Sequence, residues 1–285
     1  MRPLTCRTPI LPSCLNDSVN WILQQPAAVV ASATVLIMVG LAVSGLLLFR
    51  RLVPQSRLEK SMSVTGQAFT LVGVLYPLVA AFALTTAWDN YQSAQGATEQ
   101  EAGAVTELLN ASEALPAAVR PGVQQQTLAY AQDVVDDEFP RMGRGLPIES
   151  RSDQLRELRL TLYGAQPVTA TEISAYEQSV ASAEQISRSR STRIAGNRNG
   201  STSVLTGDLW VLLIGGAFIS LAFTYTFATD DTVIHATCVA LTAALMGFVL
   251  YLILALDRPF VGTMAVSPET YQRVIDTWLP GEPPR

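Results

Sequence analysis

Side chains suited to covalent chemistry are scarce in this sequence. His235 is the only histidine, so a Ser/His/Asp set cannot be built without it, and no GxSxG or Walker pattern occurs. The sequence therefore predicts that the chain is not an enzyme. His235 begins an apolar stretch close to Asp230 and Asp231. It is interpreted as a residue at a membrane interface, with a proton sensor as the alternative.

The cysteines predict neither a zinc site nor a disulfide framework. Cys6, Cys14 and Cys238 form no CxxC pair, and Cys238 falls within an apolar stretch. Only Cys6 and Cys14 could pair, and nothing in the sequence requires that they do. We expect no metal and no cofactor.

A run of carboxylates is the other pattern that could bind a cation. Asp133, Asp136, Asp137 and Glu138 lie close together, and calcium is bound by several carboxylate oxygens. The run lacks the spacing and the glycine of an EF-hand loop. A solvated acidic face is therefore predicted, with a calcium site as the alternative.

One apolar stretch carries features that could line a path for ions. Pro77 follows Tyr76 in mid-helix, where a proline removes a backbone donor and leaves a carbonyl near Gly73 without its partner. Aromatic rings would narrow such a path, and small residues would widen it. The alternative is small-residue packing between helices around a tolerated proline. The candidate lining residues share one face at three-and-four spacing: Phe69, Gly73, Tyr76, Ala80 and Ala83.

Charges near the ends of the apolar stretches are the remaining candidates. Asp257 and Arg258 follow the last stretch, and Pro259 ends the helix. They are interpreted as a structural helix terminus with Arg258 extending to the interface. A buried ion pair or gate is the alternative. Glu101 lies in a polar helix, where we expect it to join an intrahelical or interhelical network, or else to face an oligomer axis.

Membrane-spanning helices must position these candidates. Hydrophobic residues make up 49% of the chain and charged residues only 15%, with a mean hydropathy of +0.27, whereas a soluble domain has roughly 25% charged residues. Each span needs about 20 apolar residues. Stretches without any charged residue occupy residues 27–49, 61–88, 209–229 and 232–256. They predict transmembrane helices near 27–50, 66–88, 208–229 and 233–257. The first exceeds a signal-peptide core and ends on Arg50 and Arg51, which favours a retained helix.

The predicted fold is all-α, a polytopic membrane protein with four transmembrane helices and a helical soluble domain between the second and the third. No breaker occurs between Trp88 and Leu109, so the second helix should continue into the soluble domain and end at Leu115-Pro116. Further helices are predicted over 119–139, about 152–163, and from 169 or 171 to 193. The expected boundaries are a leader at 1–26, a transmembrane hairpin at 27–88, the soluble domain at 89–208, a second hairpin at 209–257 and a C-terminal tail at 258–285.

Charge excludes one class of partner and leaves two orientations to compare. A net charge of −5 and an isoelectric point near 5.0 give no basic surface for nucleic acid. A cytoplasmic hairpin turn would use Arg50, Arg51, Arg57 and Lys60 as its basic residues. Cytoplasmic termini and a cytoplasmic soluble domain are favoured, because more arginines then lie near membrane ends: Arg2, Arg7, Arg190, Arg193, Arg198, Arg258 and Arg273.

Several segments resemble a known family. The run from Gly73 to Phe82, followed by Trp88-Asp-Asn-Tyr91 and Glu101-Ala102, resembles the second-helix region of the bacterial bestrophin-like family. The end of the fourth helix resembles the most specific motif of that family, and Asp136-Asp-Glu-Phe-Pro140 adds to the match over about residues 30–276. That motif reads Leu254-Ala-Leu-Asp257-Arg258-Pro259-Phe260-Val-Gly262, with Val266-Ser-Pro268 after it.

The resemblance implies a function. The family is largely uncharacterised and is remotely similar to bestrophins, which are oligomeric anion channels with a pore lined by the second helix. It implies a homo-oligomeric ion channel for anions, a pentamer by analogy, in a bacterial inner membrane. Its partners would be the lipid bilayer, further copies of the chain and inorganic ions. The alternative is a non-conducting membrane scaffold or sensor whose helical domain binds a protein partner.

Overall fold

The computed structural model describes residues 25–53, 55–195, 205–227, 229, 231–262 and 264–279. Most of these residues are helical, and no strand occurs among them, which confirms the all-α prediction. Cys6, Cys14 and Asp230 lie outside the described residues.

The helices follow the predicted order. A π-helical turn, Val134–Glu138, interrupts the predicted 119–139 helix. The helices are α1 (Ala27–Leu52), α2 (Gln55–Ser112), α3 (Arg120–Asp133), α4 (Phe139–Gly143), α5 (Asp153–Tyr163), α6 (Ala170–Ala195), α7 (Gly207–Tyr225), α8 (Thr232–Leu256) and α9 (Glu269–Trp278).

Within the described part of the chain, α1, α2, α7 and α8 are long and apolar enough to cross a membrane, and the candidate span of α2 begins at Phe69. The helix α2 has no break at residues 88–95, as predicted. The chain divides into two compact units. We call residues 1–89 and 204–257 the apolar unit, and residues 90–203 and 258–285 the polar unit.

In the apolar unit, α1 packs along α8 and α7 also contacts α8. Glycine permits close approach of the first pair, because a Cβ on Gly247 would lie 3.2 Å from Met38 Cβ and 3.3 Å from Val35 Cα. Large apolar side chains such as Leu36, Phe82 and Leu245 stay exposed. Such a surface is typical of helices that face lipid.

The polar unit has its own hydrophobic core, which includes Val105 and Leu108 of α2. Two helices of this unit begin at side-chain N-caps, and the second cap, Thr169, is one of the two starts predicted for that helix. Ser152 accepts a hydrogen bond from the Leu155 N–H at 3.3 Å, and the Thr169 hydroxyl accepts from the Glu172 N–H while Glu172 Oε2 accepts from the Thr169 N–H. Helix α9, which the sequence analysis did not predict, buries Tyr271 and Val274 against this unit.

Candidate functional site

Four ionisable side chains are buried together in the polar unit. Glu101 lies on α2, Glu138 ends the π-helical turn, and Arg190 and Arg193 lie on α6. The exposed fraction is zero for Glu101 and Arg193 and 4% for Glu138 and Arg190. We call these four side chains the ion-pair network. Two carboxylates face two guanidinium groups, so the network is electrically balanced when all four are ionised.

Arg193 is the centre of the network. Its Nε donates to Glu101 Oε2 at 2.8 Å and its Nη2 donates to Glu101 Oε1 at 2.9 Å, which makes a bidentate pair. The same Nη2 donates to Glu138 Oε2 at 2.6 Å. Arg190 binds the other oxygen of Glu138 through Nη2 at 2.6 Å and Nε at 3.0 Å. The chain of contacts therefore joins α2, the π-helical turn and α6.

Arg190 also organises a loop. It donates to the Ser150 carbonyl at 3.0 Å and to the Glu149 carbonyl at 2.8 Å. These carbonyls precede α5 and belong to a segment without helical hydrogen bonds of its own. One guanidinium thus satisfies a buried carboxylate and two backbone acceptors, which offsets the cost of removing it from water.

Aromatic side chains enclose the network. The Tyr130 hydroxyl donates to Glu101 Oε1, and the Arg193 guanidinium lies 5.4 Å from the centre of the Phe139 ring. Burial, followed by the charge of Glu101, raises the pKa of Tyr130 and of Tyr271 well above the usual range. Burial alone lowers the pKa of Arg193, but the charge and hydrogen bonds of Glu101 outweigh it and raise this pKa.

The π-helical turn places Glu138 and Phe139 for these contacts. The Phe139 N–H bonds the Val134 carbonyl, five residues earlier. The next residue, Pro140, has no N–H with which to continue a regular ladder. The widened turn lets both Glu138 and Phe139 point into the buried core, and both are buried. π-helical turns are frequently found at functional sites.

The ion-pair network tests the predictions made for Glu101 and for the acidic run. The prediction that Glu101 joins an interhelical network is confirmed. The prediction that the acidic run is a solvated face is wrong for Glu138, because this carboxylate is bound by both arginines. Asp136 and Asp137 are exposed as predicted. Asp133 is partly buried, and burial, together with the charges of Glu138 and Asp137, raises its pKa.

Sequence reasoning missed both arginines as site residues, although a signal was present. The buried face of α6 consists mostly of alanine and serine at three-and-four spacing, with Ile186 and Ile194, and Arg190 and Arg193 lie on the same face. Long cations on a stripe that is otherwise small and buried indicate buried partners. Their burial also removes them from the basic residues that were counted near membrane ends, so the predicted orientation loses two of its supporting charges.

The segment around Asp257 has a structural role in each unit. Asp257, fully buried at the end of α8, accepts a hydrogen bond from the Leu205 N–H at 2.8 Å. This contact lies in the apolar unit and fits the interpretation of a helix terminus. Arg258 is buried, with 7% exposed, so the expected extension to the interface is wrong.

The residues after Arg258 form a tight turn in the polar unit. The Val266 N–H donates to the Pro259 carbonyl at 2.7 Å. Gly262 has φ 95°, a value that favours glycine. Phe260 packs edge-on against Phe139 with centroids 6.0 Å apart. Phe139 and Phe260, which come from two separate segments of the resemblance, therefore meet in one core.

A smaller polar cluster lies in the apolar unit. Arg50 donates to His235 Nδ1 at 2.9 Å and to the Thr229 carbonyl at 2.7 Å. Because arginine has no acceptor, Nδ1 of His235 must accept, and Nε2 then carries the proton that is donated to the Thr224 carbonyl at 2.9 Å. His235 is buried, with 6% exposed. It connects the ends of α1, α7 and α8.

The proposed lining residues of α2 fall into two groups. Tyr76, Ala80 and Ala83 are buried within the apolar unit, and a Cβ on Gly216 of α7 would lie 2.7 Å from Tyr76 Cδ2. This is the arrangement that the packing alternative describes. Gly73 is exposed, with open space where a Cβ would lie. Phe69 packs edge-on against Phe227 with centroids 4.9 Å apart.

Among the described residues, no group of three His, Cys, Asp or Glu side chains is placed to hold a metal ion. A family model for the bestrophin-like domain matches residues 36–271. No curated protein and no solved structure matches the chain.

Proposed function

The chain belongs to the bestrophin-like family, and on this basis we propose that it forms a homo-oligomeric ion channel in which α2 lines the conduction path. Bestrophins are anion channels, which is the reason for proposing anions as the conducted ions. The observation that carries the assignment to α2 is its continuity. One helix runs without a break from a candidate membrane span into the polar unit.

The exposed face of α2 supplies the chemistry of a lining surface. Its small and polar residues form one stripe about 120° wide at 100° per residue. Pro77 has no N–H, so the Gly73 carbonyl lacks its helical donor and can face water or an ion. The stripe consists of Thr70, Gly73, Pro77, Ala81 and Thr85, all exposed. We therefore place the lining on this stripe, beside the buried face of Tyr76, Ala80 and Ala83.

Acidic residues further along α2 bear on the choice of ion. Asp89, Glu99 and Glu107 are exposed on its continuation. Carboxylates arranged around a path attract cations and repel anions. If these three face the path, replacing them by neutral amides raises the permeability of anions relative to cations. If they face outward, the ratio stays unchanged and family resemblance alone carries the anion proposal.

Conduction by the full chain in planar bilayers tests the proposal. A gradient of KCl gives the charge preference from the reversal potential. The expected result is a protein-dependent current whose reversal potential is shifted from zero toward the equilibrium potential of chloride. Glu99→Gln, combined with Glu107→Gln, then measures the influence of the acidic residues.

Cysteine accessibility tests which face of α2 is wetted. Gly73→Cys and Ala81→Cys, in a background without Cys6, Cys14 and Cys238, should react with a charged thiol reagent and lose current. The matched controls Ala80→Cys and Ala83→Cys should be protected, because these positions are buried. Reaction at positions 73, 80 and 83 with protection at position 81 would instead favour the face first predicted, which includes Gly73, Ala80 and Ala83.

A second candidate is the non-conducting scaffold or sensor. The burial of Tyr76, Ala80 and Ala83 favours it, because part of the helix expected to line a path is used for packing within one chain. A monodisperse protein that gives no current, with all four engineered cysteines protected, would support this second candidate.

The proposed location is a cell membrane, with the termini and the polar unit on the cytoplasmic side. Glu184 lies on the outer side of α6, with 58% of its side chain exposed. A Glu184→Cys variant, in the same cysteine-free background, should resist an impermeant thiol reagent in intact cells and react after lysis. Labelling in intact cells would reverse the orientation.

A further inference from the structure

An elongated groove runs between α1 and α8 on the surface of the apolar unit. Its volume is about 610 Å³. One wall is formed by Val39, Val43 and Leu47, and the floor and other wall include Ala236, Ala240 and Ala244. The three alanines are four residues apart, so they form one row with no side chain beyond Cβ. The groove exists because this row is shallow beside larger neighbours.

The dimensions of the groove match one hydrocarbon chain in one leaflet. From Thr232 to Ala244 the α8 side is about 18 Å long at a rise of 1.5 Å per residue. The hydrocarbon core of a bilayer is about 30 Å thick. The groove therefore starts at the end of the span and reaches slightly beyond the middle of the membrane.

A basic side chain stands at the outer end of this groove. Val39, Val43 and Leu47 are four residues apart, and the next position in that row is Arg51, which is exposed. The neighbouring Arg50 bonds the Thr232 hydroxyl, which fixes the end of α1 beside the start of α8. Arg51 therefore lies at the same end of the groove as the N-terminus of α8.

Among the side chains that the structure describes at this end of the groove, Asp231 is acidic, and its carboxylate already accepts hydrogen bonds from the backbone. Asp231 Oδ1 accepts hydrogen bonds from the Val233 N–H at 2.8 Å and the Ile234 N–H at 3.2 Å. Its charge is partly offset by these N–H groups and by the positive end of the helix. Among the described side chains at this end, Arg51 is an exposed cation, whereas Arg50 is bound to backbone, hydroxyl and imidazole partners.

We propose that this groove is a binding site for an anionic phospholipid, with one acyl chain between α1 and α8 and the phosphate on Arg51. The apolar walls recognise the chain, and the basic residue in line with them recognises the headgroup charge. A lipid with a charged headgroup explains why an arginine stands at the end of the groove. An apolar helix from a second copy of the chain would not need an arginine at that position.

Native mass spectrometry of the delipidated full-length protein tests the proposal. The probes are phosphatidylglycerol and phosphatidylcholine with identical acyl chains, titrated separately. Phosphatidylglycerol should bind about fivefold more tightly, since one basic residue near a membrane surface contributes about 1 kcal/mol. Arg51→Gln should remove that preference, and Ala240→Phe should weaken both lipids by filling the groove. Leu245→Phe, at an exposed position of α8 outside the groove lining, is the matched control and should change neither.

The proposal fails if wild-type protein binds both lipids equally, or if Ala240→Phe binds phosphatidylglycerol like the wild type while remaining monodisperse. Disulfide formation at Ala240→Cys in a background without Cys6, Cys14 and Cys238 gives a separate readout. A cross-linked dimer in membranes would assign the groove to a second copy of the chain. Absence of cross-linking, together with lipid selectivity, supports the lipid site.

Discussion

The polar unit and the apolar unit are each stabilised internally, by different kinds of interaction. The polar unit has four buried ionisable side chains with almost no exposure, joined by charge-assisted hydrogen bonds between 2.6 and 3.0 Å. The apolar unit relies on close helix packing, for example where the Tyr76 ring lies against Gly216. Its described polar contacts include a hydrogen bond from Arg50 to His235. Removal of one group should therefore affect the two units unequally.

Buried charges and close helix packing respond differently to the loss of a single side chain. Buried charges are a weak source of net stability, but loss of one partner leaves another charge buried without compensation. Helix packing in an apolar unit distributes its energy over many small contacts, so a single substitution matters only at points of closest approach. We therefore expect single substitutions in the ion-pair network to cost more stability than substitutions at helix contacts of the apolar unit.

Replacement of the central arginine should have the largest effect. Arg193→Met leaves Glu101 and Glu138 buried without their shared cation, and we expect a loss of about 3–5 kcal/mol in the stability of the polar unit. Arg188→Met on the same helix is the control, because Arg188 is exposed and forms only a 3.6 Å surface pair with Glu184. Denaturant unfolding of purified protein in detergent measures both. Equal losses for the two variants would contradict a dominant role for the network.

Gly216 should be the sensitive glycine of α7. In Gly216→Ala the added Cβ would lie 2.7 Å from Tyr76 Cδ2 and 3.1 Å from Cε2. The ring must move, and overpacking of this kind costs about 1–3 kcal/mol. Gly215→Ala is the matched control, since nothing lies within 4 Å of its Cβ position and alanine favours a helix. Thermal melting in detergent should lower the midpoint for Gly216→Ala only. A lower midpoint for Gly215→Ala would show that the helix tolerates no added side chain.

Removal of the charge of Asp257 at the end of α8 should reduce stability by a smaller amount. Asp257→Asn keeps an oxygen that can accept from the Leu205 N–H but removes the charge that strengthens this bond. We expect a loss of about 1 kcal/mol. Asp208→Asn, at an exposed position in the first turn of α7, serves as control in the same melting experiment. If the two variants have the same melting midpoint, the charge of Asp257 has no structural role.

The smallest effect concerns the N-terminus of α6. Hydrogen bonds from the Thr169 and Val168 N–H groups lower the pKa of Glu172 from its usual value. The charged form is favoured by folding, so its contribution is fully present above the unfolded pKa and is lost as the pH falls through the lower folded pKa. Glu172→Gln should be less stable than the wild type at neutral pH, and the difference should shrink in acid. Glu177→Gln, at an exposed position in mid-helix, should show no such convergence. A difference that is constant with pH would exclude the carboxylate as its cause.

The elements themselves could be predicted from local patterns. Charge-free stretches located four apolar helices. The start of α5 was predicted at about Ser152 and that of α6 at Thr169 or Thr171, and the structure has N-caps at Ser152 and Thr169. Helix α9 was missed because a short helix after several loop residues gives only a few turns of periodicity. The π-helical turn was missed because its hydrogen-bond pattern differs from the regular helix by a single residue.

The roles of individual charges were harder to predict. Glu138 was grouped with Asp136 and Asp137 because they are adjacent in sequence, yet successive helical residues point in different directions. Only Glu138 turns inward to the arginines. Tyr76 and Gly73 were placed on one face by spacing, but the neighbouring α7 covers Tyr76 and leaves Gly73 open.

Composition and periodicity by themselves determined that this chain is helical and membrane-directed and that α2 continues past its span, because such properties depend on residues near one another in sequence. The tertiary structure alone decided the partners. Glu101 meets Arg193 across 92 positions of sequence, Arg50 meets His235 across 185, and Arg51 lies in line with a groove formed by two distant helices. Burial strengthens a charge–charge contact, and burial arises only when separate helices pack, so no local pattern could show which charges would be paired.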